Sequence, residues 1–217
     1  RDVKDDDVFH EMVRSFVEEK LPKGLKDCEG LLMRNRIFID RTAGIGHISK
    51  EDAIAWSITG PCARGSGVER DVRKDEPYLC YADNWDGQGA ERVKFEVPVH
   101  TDGDCYARFA VRVEEMHQSA SIIRQLLDKK IWSSIRDTPM DTFADGKFVK
   151  PSKEDVYGSI EGLIQHFEII MSNRGWDTPI AEGYGTNETA NGELGYYVVA
   201  AGGPSPWRVR TRPPSFL

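Results

Sequence analysis

Phe109, Val113, Met116, Ala120, Ile123 and Leu127 recur at intervals of four, three, four, three and four residues. An α-helix brings such positions onto one side, because its 3.6-residue turn stacks residues three and four apart. The spacing predicts a long amphipathic helix over residues 104–130. Val156, Ile160, Leu163, Phe167 and Ile170 repeat the pattern within 152–173. That segment starts at a Ser152 cap and an acidic first turn, Glu154 and Asp155, which suits the positive end of a helix dipole. Two matched stripes joined by a polar connection predict an antiparallel helical pair with a buried seam.

Gly175 is expected to stop the second helix, and beyond it the apolar period falls to about two. Residues 184–189 and 194–200 flank Asn191-Gly192, a pair that tolerates the positive φ angles of a tight hairpin. Residues 207–211 can add a third strand before Pro213-Pro214 ends pairing. Nearer the start, Phe9, Val13 and Phe16 mark a helix over 6–21. Pro22 and Gly24 break or kink it, and 25–33 can resume it. Residues 35–39 read as extended and 43–46 as a turn. Ser49 with Asp52 opens a short helix through Trp56. Residues 59–103 read as irregular, with 83–89 an exposed loop and 93–97 a short strand. The expected fold is α+β and helix-dominated: a long antiparallel helical pair plus a small C-terminal antiparallel hairpin or sheet, in one domain over 1–217.

Composition narrows the function. Among 217 residues 39% are hydrophobic and 30% charged, and no run approaches the roughly 18 apolar residues of a membrane-spanning helix. The charged first seven residues lack the apolar stretch of a secretory signal, so a soluble, cytoplasm-facing chain is expected. A net charge of −7 argues against nucleic acid, whose binding draws on clustered Lys and Arg. Cys28, Cys62, Cys80 and Cys105 stand at least 18 residues apart with no C-x-x-C. Zinc, iron–sulfur and disulfide frameworks are therefore not expected, and the thiols read as small packed hydrophobes. The histidines, His10, His47, His100, His117 and His166, form no ligand pair, and no G-x-S-x-G supports hydrolysis. Gly65-Ser66-Gly67 lacks the strand and the helix-opening Lys-Ser of a phosphate loop.

Two runs carry the candidate site. In residues 60–74, GPCARGSGVERDVRK, small residues let backbones approach while Arg64, Ser66, Asp71 and Arg73 can form fixed ion pairs or reach a partner. Glu188 and Glu193 flank the hairpin turn, and Arg208, Arg210 and Arg212 alternate downstream with no carboxylate after Glu193. Carboxylates around a turn and an arginine comb suggest a buried polar network, structural or catalytic.

These runs sit among others in a fixed order: EGLLMRNRIF at 29–38, RTAGIG at 41–46, GDCYAR at 103–108, RVEEM at 112–116, LIQHF at 163–167, GELG at 192–195 and RTRPPSF at 210–216. Together they resemble the D subunit of respiratory complex I, the 49-kilodalton subunit family, over nearly the whole chain. The resemblance implies a fold related to the large subunit of nickel–iron hydrogenases. It implies a chain without a cofactor or metal of its own, forming the quinone-site wall beside a tetranuclear iron–sulfur cluster held by a neighbouring subunit. There electrons from NADH reduce quinone and drive proton translocation. The implied partners are the B (with the terminal cluster), C and I subunits of complex I, the membrane-embedded H subunit, and quinone. The implied place is the peripheral arm of complex I, on the cytoplasmic face of a bacterial inner membrane or the matrix face in mitochondria.

On this resemblance the chain matches a C-terminal part of the family's full length, without its N-terminal part and extreme C-terminus. The family's quinone-ligating His and Tyr precede the matched segment, so no catalytic residue carries over and no independent activity is expected. Arg64, Ser66, Asp71, Arg73, Glu188, Glu193, Arg208, Arg210 and Arg212 become quinone-site or subunit-interface candidates. Ala190-Asn191 departs from the family's usual Pro and basic residue, residues 85–92 look inserted, and Gln165 replaces a common His. The alternatives are a nickel–iron or energy-converting hydrogenase large subunit, for which the two C-x-x-C pairs are lacking, and a non-catalytic scaffold homologue.

Overall fold

A computed structural model describes residues 6–84, 89, 91–128, 149–171, 178–203 and 205–215. The chain divides into two compact units, one of residues 1–138, 187–194 and 213–217, the other of 139–186 and 195–212.

The first unit opens with α1 (Asp6–Ser15) and α2 (Leu21–Cys28), each followed by a five-residue π-helical turn, Phe16–Lys20 and Glu29–Met33. Pro22 does not interrupt this stretch. The Leu21 N–H instead reaches back five residues to the Phe16 carbonyl, and the widened turn makes room for a residue that lacks an N–H and crowds the preceding carbonyls. The extended piece expected at 35–39 is a helix, α3 (Arg36–Thr42). Its β-favouring Ile-Phe-Ile run is overruled by Asn35, whose side chain accepts the Ile37 N–H at 2.9 Å and caps the first turn. α4 (Lys50–Ala55) starts as the capping residues imply, with Ser49 Oγ accepting the Asp52 N–H at 3.0 Å.

α5 (Pro61–Arg64) and α6 (Val72–Asp75) are single turns, and with a 3-10 turn at Leu79–Tyr81 they interrupt an otherwise irregular stretch. No strand forms at 93–97, although Val93 and Phe95 are buried and alternate with exposed Lys94 and Glu96. The long helix α7 (Cys105–Leu126) offers this segment its side chains in place of a neighbouring strand. Gln125 accepts the Lys94 N–H and donates to the Lys94 carbonyl, at 2.8 and 2.7 Å, and Gln118 accepts the Glu96 N–H at 3.1 Å. Val93 and Phe95 thereby form a core with Ile122 of α7.

α7 is the helix that the stripe spacing announces, capped by Asp104. Its burial extends beyond one stripe: Val113, Ala120 and Leu127 are buried as expected, but so are Ala107, Ala110 and Val111, while Met116 is 38% exposed. A helix touched from several sides buries more than one stripe, and exposed Glu114, His117 and Arg124 keep a narrow polar line along it. It packs on α2, α3, α5 and the first π turn, with Phe38 of α3 edge-on to Phe109 at 5.0 Å.

In the second unit the helix expected over 152–173 is two helices, α8 (Lys153–Gly158) and α9 (Ile160–Ile170). Ser159 takes an extended conformation and caps α9 through the Gly162 N–H. The stripe residues Leu163, Phe167 and Ile170 are 42–50% exposed. Within this unit α8 and α9 pack on each other. Gly175 lies outside the described residues. The hairpin forms, as β1 (Ala181–Thr189) and β2 (Gly192–Ala200), and β3 (Arg208–Arg212) pairs antiparallel with β2 in the order β1-β2-β3. Arg208, Arg210 and Arg212 stand opposite Val199, Tyr197 and Gly195.

Candidate functional site

Arg64 is the last residue of α5 and is 1% exposed. A guanidinium in that position must satisfy its donors inside the protein, and three chain segments answer. Its Nε donates to Glu115 Oε1 of α7 at 2.7 Å, and Nη2 lies 2.6 Å from the same oxygen. Nη2 also reaches Glu188 Oε1 at 3.0 Å, and Nη1 donates to the Arg70 carbonyl at 2.8 Å, with Asp71 Oδ2 at 3.8 Å.

Asp71, 2% exposed, has two tasks. It caps α6 through the Arg73 N–H, and it receives Arg73 Nε and Nη2 as a bidentate pair at 2.9 and 2.6 Å. The Arg73 guanidinium also lies 4.6 Å above the Phe95 ring. Burial pushes the Asp71 carboxyl up, but Arg73 and Arg64 outweigh it and hold the group below the ordinary carboxylate range. Glu115 and Glu188 go the other way: burial raises both, and Arg64 offsets it only in part. Three carboxylates thus surround two guanidiniums, with unequal hold on their protons.

Glu188 brings the hairpin tip into this cluster. Its Oε2 accepts the Val72 N–H at 3.3 Å, and its own N–H donates to the Tyr78 hydroxyl at 3.0 Å. Five residues on, Glu193 pairs with Arg70 at 3.0 Å and donates its N–H to Thr59 Oγ1 at 3.1 Å. Between them the tip backbone lies against the 59–60 backbone. Gly60 (φ 72°) and Gly192 (φ 131°) face each other so closely that a Cβ on Gly60 would strike Gly192 and the Asn191 carbonyl. Beside the cluster, Tyr81, Phe109, Arg112, Val113, Met116 and Ser119 help line a cavity of about 590 Å³.

The structure therefore joins Arg64, Asp71, Arg73, Glu188 and Glu193 in one unit, as part of a polar network. Ser66 is buried nearby, with its hydroxyl 3.4 Å from the Cys62 carbonyl. The N–H groups of Gly65, Ser66 and Gly67 all bond to carbonyls of residues 61–64, which leaves no cradle for a phosphate. The arginines that meet Glu188 and Glu193 are Arg64 and, at the rim, Arg70. Burial was expected for the arginine comb as well, yet Arg208 and Arg210 are exposed on the edge strand β3 of the second unit, and Arg212 is half-buried.

Glu115, Arg70, Tyr78 and Thr59 are members that sequence reasoning missed. Glu115 left no signal in the stripe spacing, because it lies about 100° around α7 from Met116. The four cysteines are free and half-buried. Among the described residues no group of His, Cys, Asp and Glu is arranged to hold a metal, and no helix is long and apolar enough to cross a membrane.

Comparison with known proteins places this architecture. The family model for the respiratory-chain NADH dehydrogenase 49 Kd subunit matches residues 1–217. The NADH-quinone oxidoreductase D subunit of Geobacter sulfurreducens is 44% identical over 212 residues, 97% of this chain and 50% of the relative. Its counterpart in Methylacidiphilum infernorum is 44% identical over 209 residues, 95% of this chain and 45% of the relative. A numbered D subunit of the same enzyme in Opitutus terrae is 46% identical over 209 residues, 95% of this chain and 44% of that protein. The chain spans about half the length of the curated relatives it matches. A match that runs through α7, the Arg64 cluster and the hairpin alike shows that the chain belongs to the family of the respiratory-chain NADH dehydrogenase 49-kilodalton subunit.

Proposed function

We propose that the chain works as part of the D subunit in an NADH:quinone oxidoreductase, as one domain of that subunit's hydrogenase-like fold. It walls the quinone site beside a tetranuclear iron–sulfur cluster carried by the B subunit, where quinone reduction is coupled to proton translocation. The observation that carries this reading is the 44% identity over 97% of the chain to a relative named as the D subunit of NADH-quinone oxidoreductase. The geometry agrees with a scaffold role. The Arg64 cluster is spent on fixing the hairpin tip, and large apolar side chains stand open, among them Ile160 at 72% and Trp207 at 79%. Exposed apolar side chains of this size are available to neighbouring subunits. The C, I and H subunits complete the assembly, in the peripheral arm on the cytoplasmic or matrix face of the membrane. The chain alone reduces nothing, because the redox groups belong to its neighbours.

Arg210→Ala and Arg212→Ala in the assembled enzyme test the reading. Each is expected to lower NADH:quinone turnover or the abundance of the complex. Wild-type turnover and abundance in both variants would overturn it. NADH oxidation by the isolated chain would contradict the scaffold role.

A further inference from the structure

The buried cluster holds one carboxylate more than its guanidiniums can balance. Asp71, Glu115 and Glu188 meet Arg64 and Arg73 within one patch, in which Arg64 and Asp71 are 1% and 2% exposed. The other charged groups near it are engaged elsewhere or reach only a carbonyl. Arg70 gives its carbonyl to Arg64 and its guanidinium to Glu193. Lys74 lies over the Phe95 ring at 4.8 Å, and Arg112 donates to the Ala190 carbonyl at 3.4 Å. Tyr78 and Tyr81 are the remaining titratable neighbours, meeting Glu188 and Arg73.

An uncompensated buried charge is costly, and the cheapest relief is a proton. The three carboxylates are not equivalent as acceptors. Both oxygens of Asp71 receive Arg73, and both oxygens of Glu188 receive N–H donors, from Arg64 and Val72. Each such donor favours the ionised form. Glu115 takes both its Arg64 contacts on Oε1, so among the described residues its Oε2 meets no donor. Glu115 also lines the 590 Å³ cavity, a path by which a proton can come and go.

We propose that the cluster is a binding site for one exchangeable proton, held on Glu115 Oε2, and that its occupancy sets the grip on the hairpin tip. Arg64 Nη2 serves Glu115 and Glu188 together, at 2.6 and 3.0 Å. With Glu115 neutral, the guanidinium is committed to Glu188, and the tip is held. Loss of the proton makes Glu115 a stronger competitor for the same nitrogen, and the tip is held less.

The test is a pH titration of the intact protein carrying glutamate labelled with 13C at Cδ, followed by NMR with through-bond assignment, beside amide exchange of residues 187–194. The Glu115 carboxyl is expected to titrate above the ordinary glutamate range. Tip-amide protection should fall as it ionises, by up to about tenfold per pH unit of displacement. In Glu115→Gln, tip protection should no longer depend on pH over that interval. Titration of Glu115 within or below the ordinary range would overturn the proposal, as would constant tip protection in the unaltered protein. Both of those readings need no variant to fold.

Discussion

Arg64 and Glu188 are 124 positions apart in sequence and meet at 3.0 Å between Nη2 and Oε1, both nearly sealed from water. The contact ties the tip of a hairpin to the end of a four-residue helix, α5, which is too short to hold its shape alone. An ion pair in this position adds little over a well-packed apolar pair, but breaking it leaves the other charge stranded.

Arg64→Ala should therefore be severe. It strands Glu115 and Glu188 and removes the closest partner of the Arg70 carbonyl. A loss of about 3–5 kcal/mol in unfolding free energy is expected from removing one partner of a buried pair. Urea denaturation of the two proteins measures it, and a difference under about 1 kcal/mol would contradict the burial described.

The cluster also sets opposite slopes of stability against pH. Asp71 is held below its ordinary range, so its contribution is present above that range and lost as pH falls through the lowered value. Glu115 and Glu188 are raised, so theirs is present below the ordinary glutamate range and lost as pH rises through the raised values. Stability should pass through a maximum between these limbs. Asp71→Asn should flatten the acid limb and Glu115→Gln the other, read from urea midpoints at successive pH values.

Gly60→Ala should cost about 1–3 kcal/mol, because φ is 72° and the added Cβ would strike the Asn191-Gly192 backbone. Gly183→Ala in β1 is the control, since nothing lies within 4 Å of its Cβ position. Thermal melts should separate the two by several degrees.

Asp104 caps α7 with one oxygen on the Ala107 N–H at 2.8 Å and gives the other to the Gly44 N–H at 2.7 Å. Asp104→Ala should lose about 1–2 kcal/mol, and Asp104→Asn less, because it keeps one acceptor. Equal losses in chemical denaturation would mean that the second acceptor contributes nothing.

What the sequence revealed was local. The 4-3-4 repeat of α7, the serine caps at Ser49 and Ser152 and the turn around Asn191-Gly192 each lie within a few residues, and each names its element. The partnership of Arg64 with Glu115 and Glu188 spans 51 and 124 positions, and no periodicity encodes it. The same limit explains why Glu115 went unnoticed while Glu188, beside a turn, did not. Errors of element type came where side chains replaced backbone partners: Asn35 turned a β-favouring run into a helix, and Gln118 and Gln125 stood in for a strand. The second stripe was legible as helical, but its division at Ser159 was not, because a serine inside a helical repeat looks the same whether or not it caps.

The clasp of Gln125 on Lys94 has a further consequence. An extended segment whose N–H and C=O are already occupied offers no template to a second chain. Gln125→Ala would bare that backbone beside Val93 and Phe95, and self-association into β-rich aggregates, rather than simple unfolding, is how the loss of one amide would show itself.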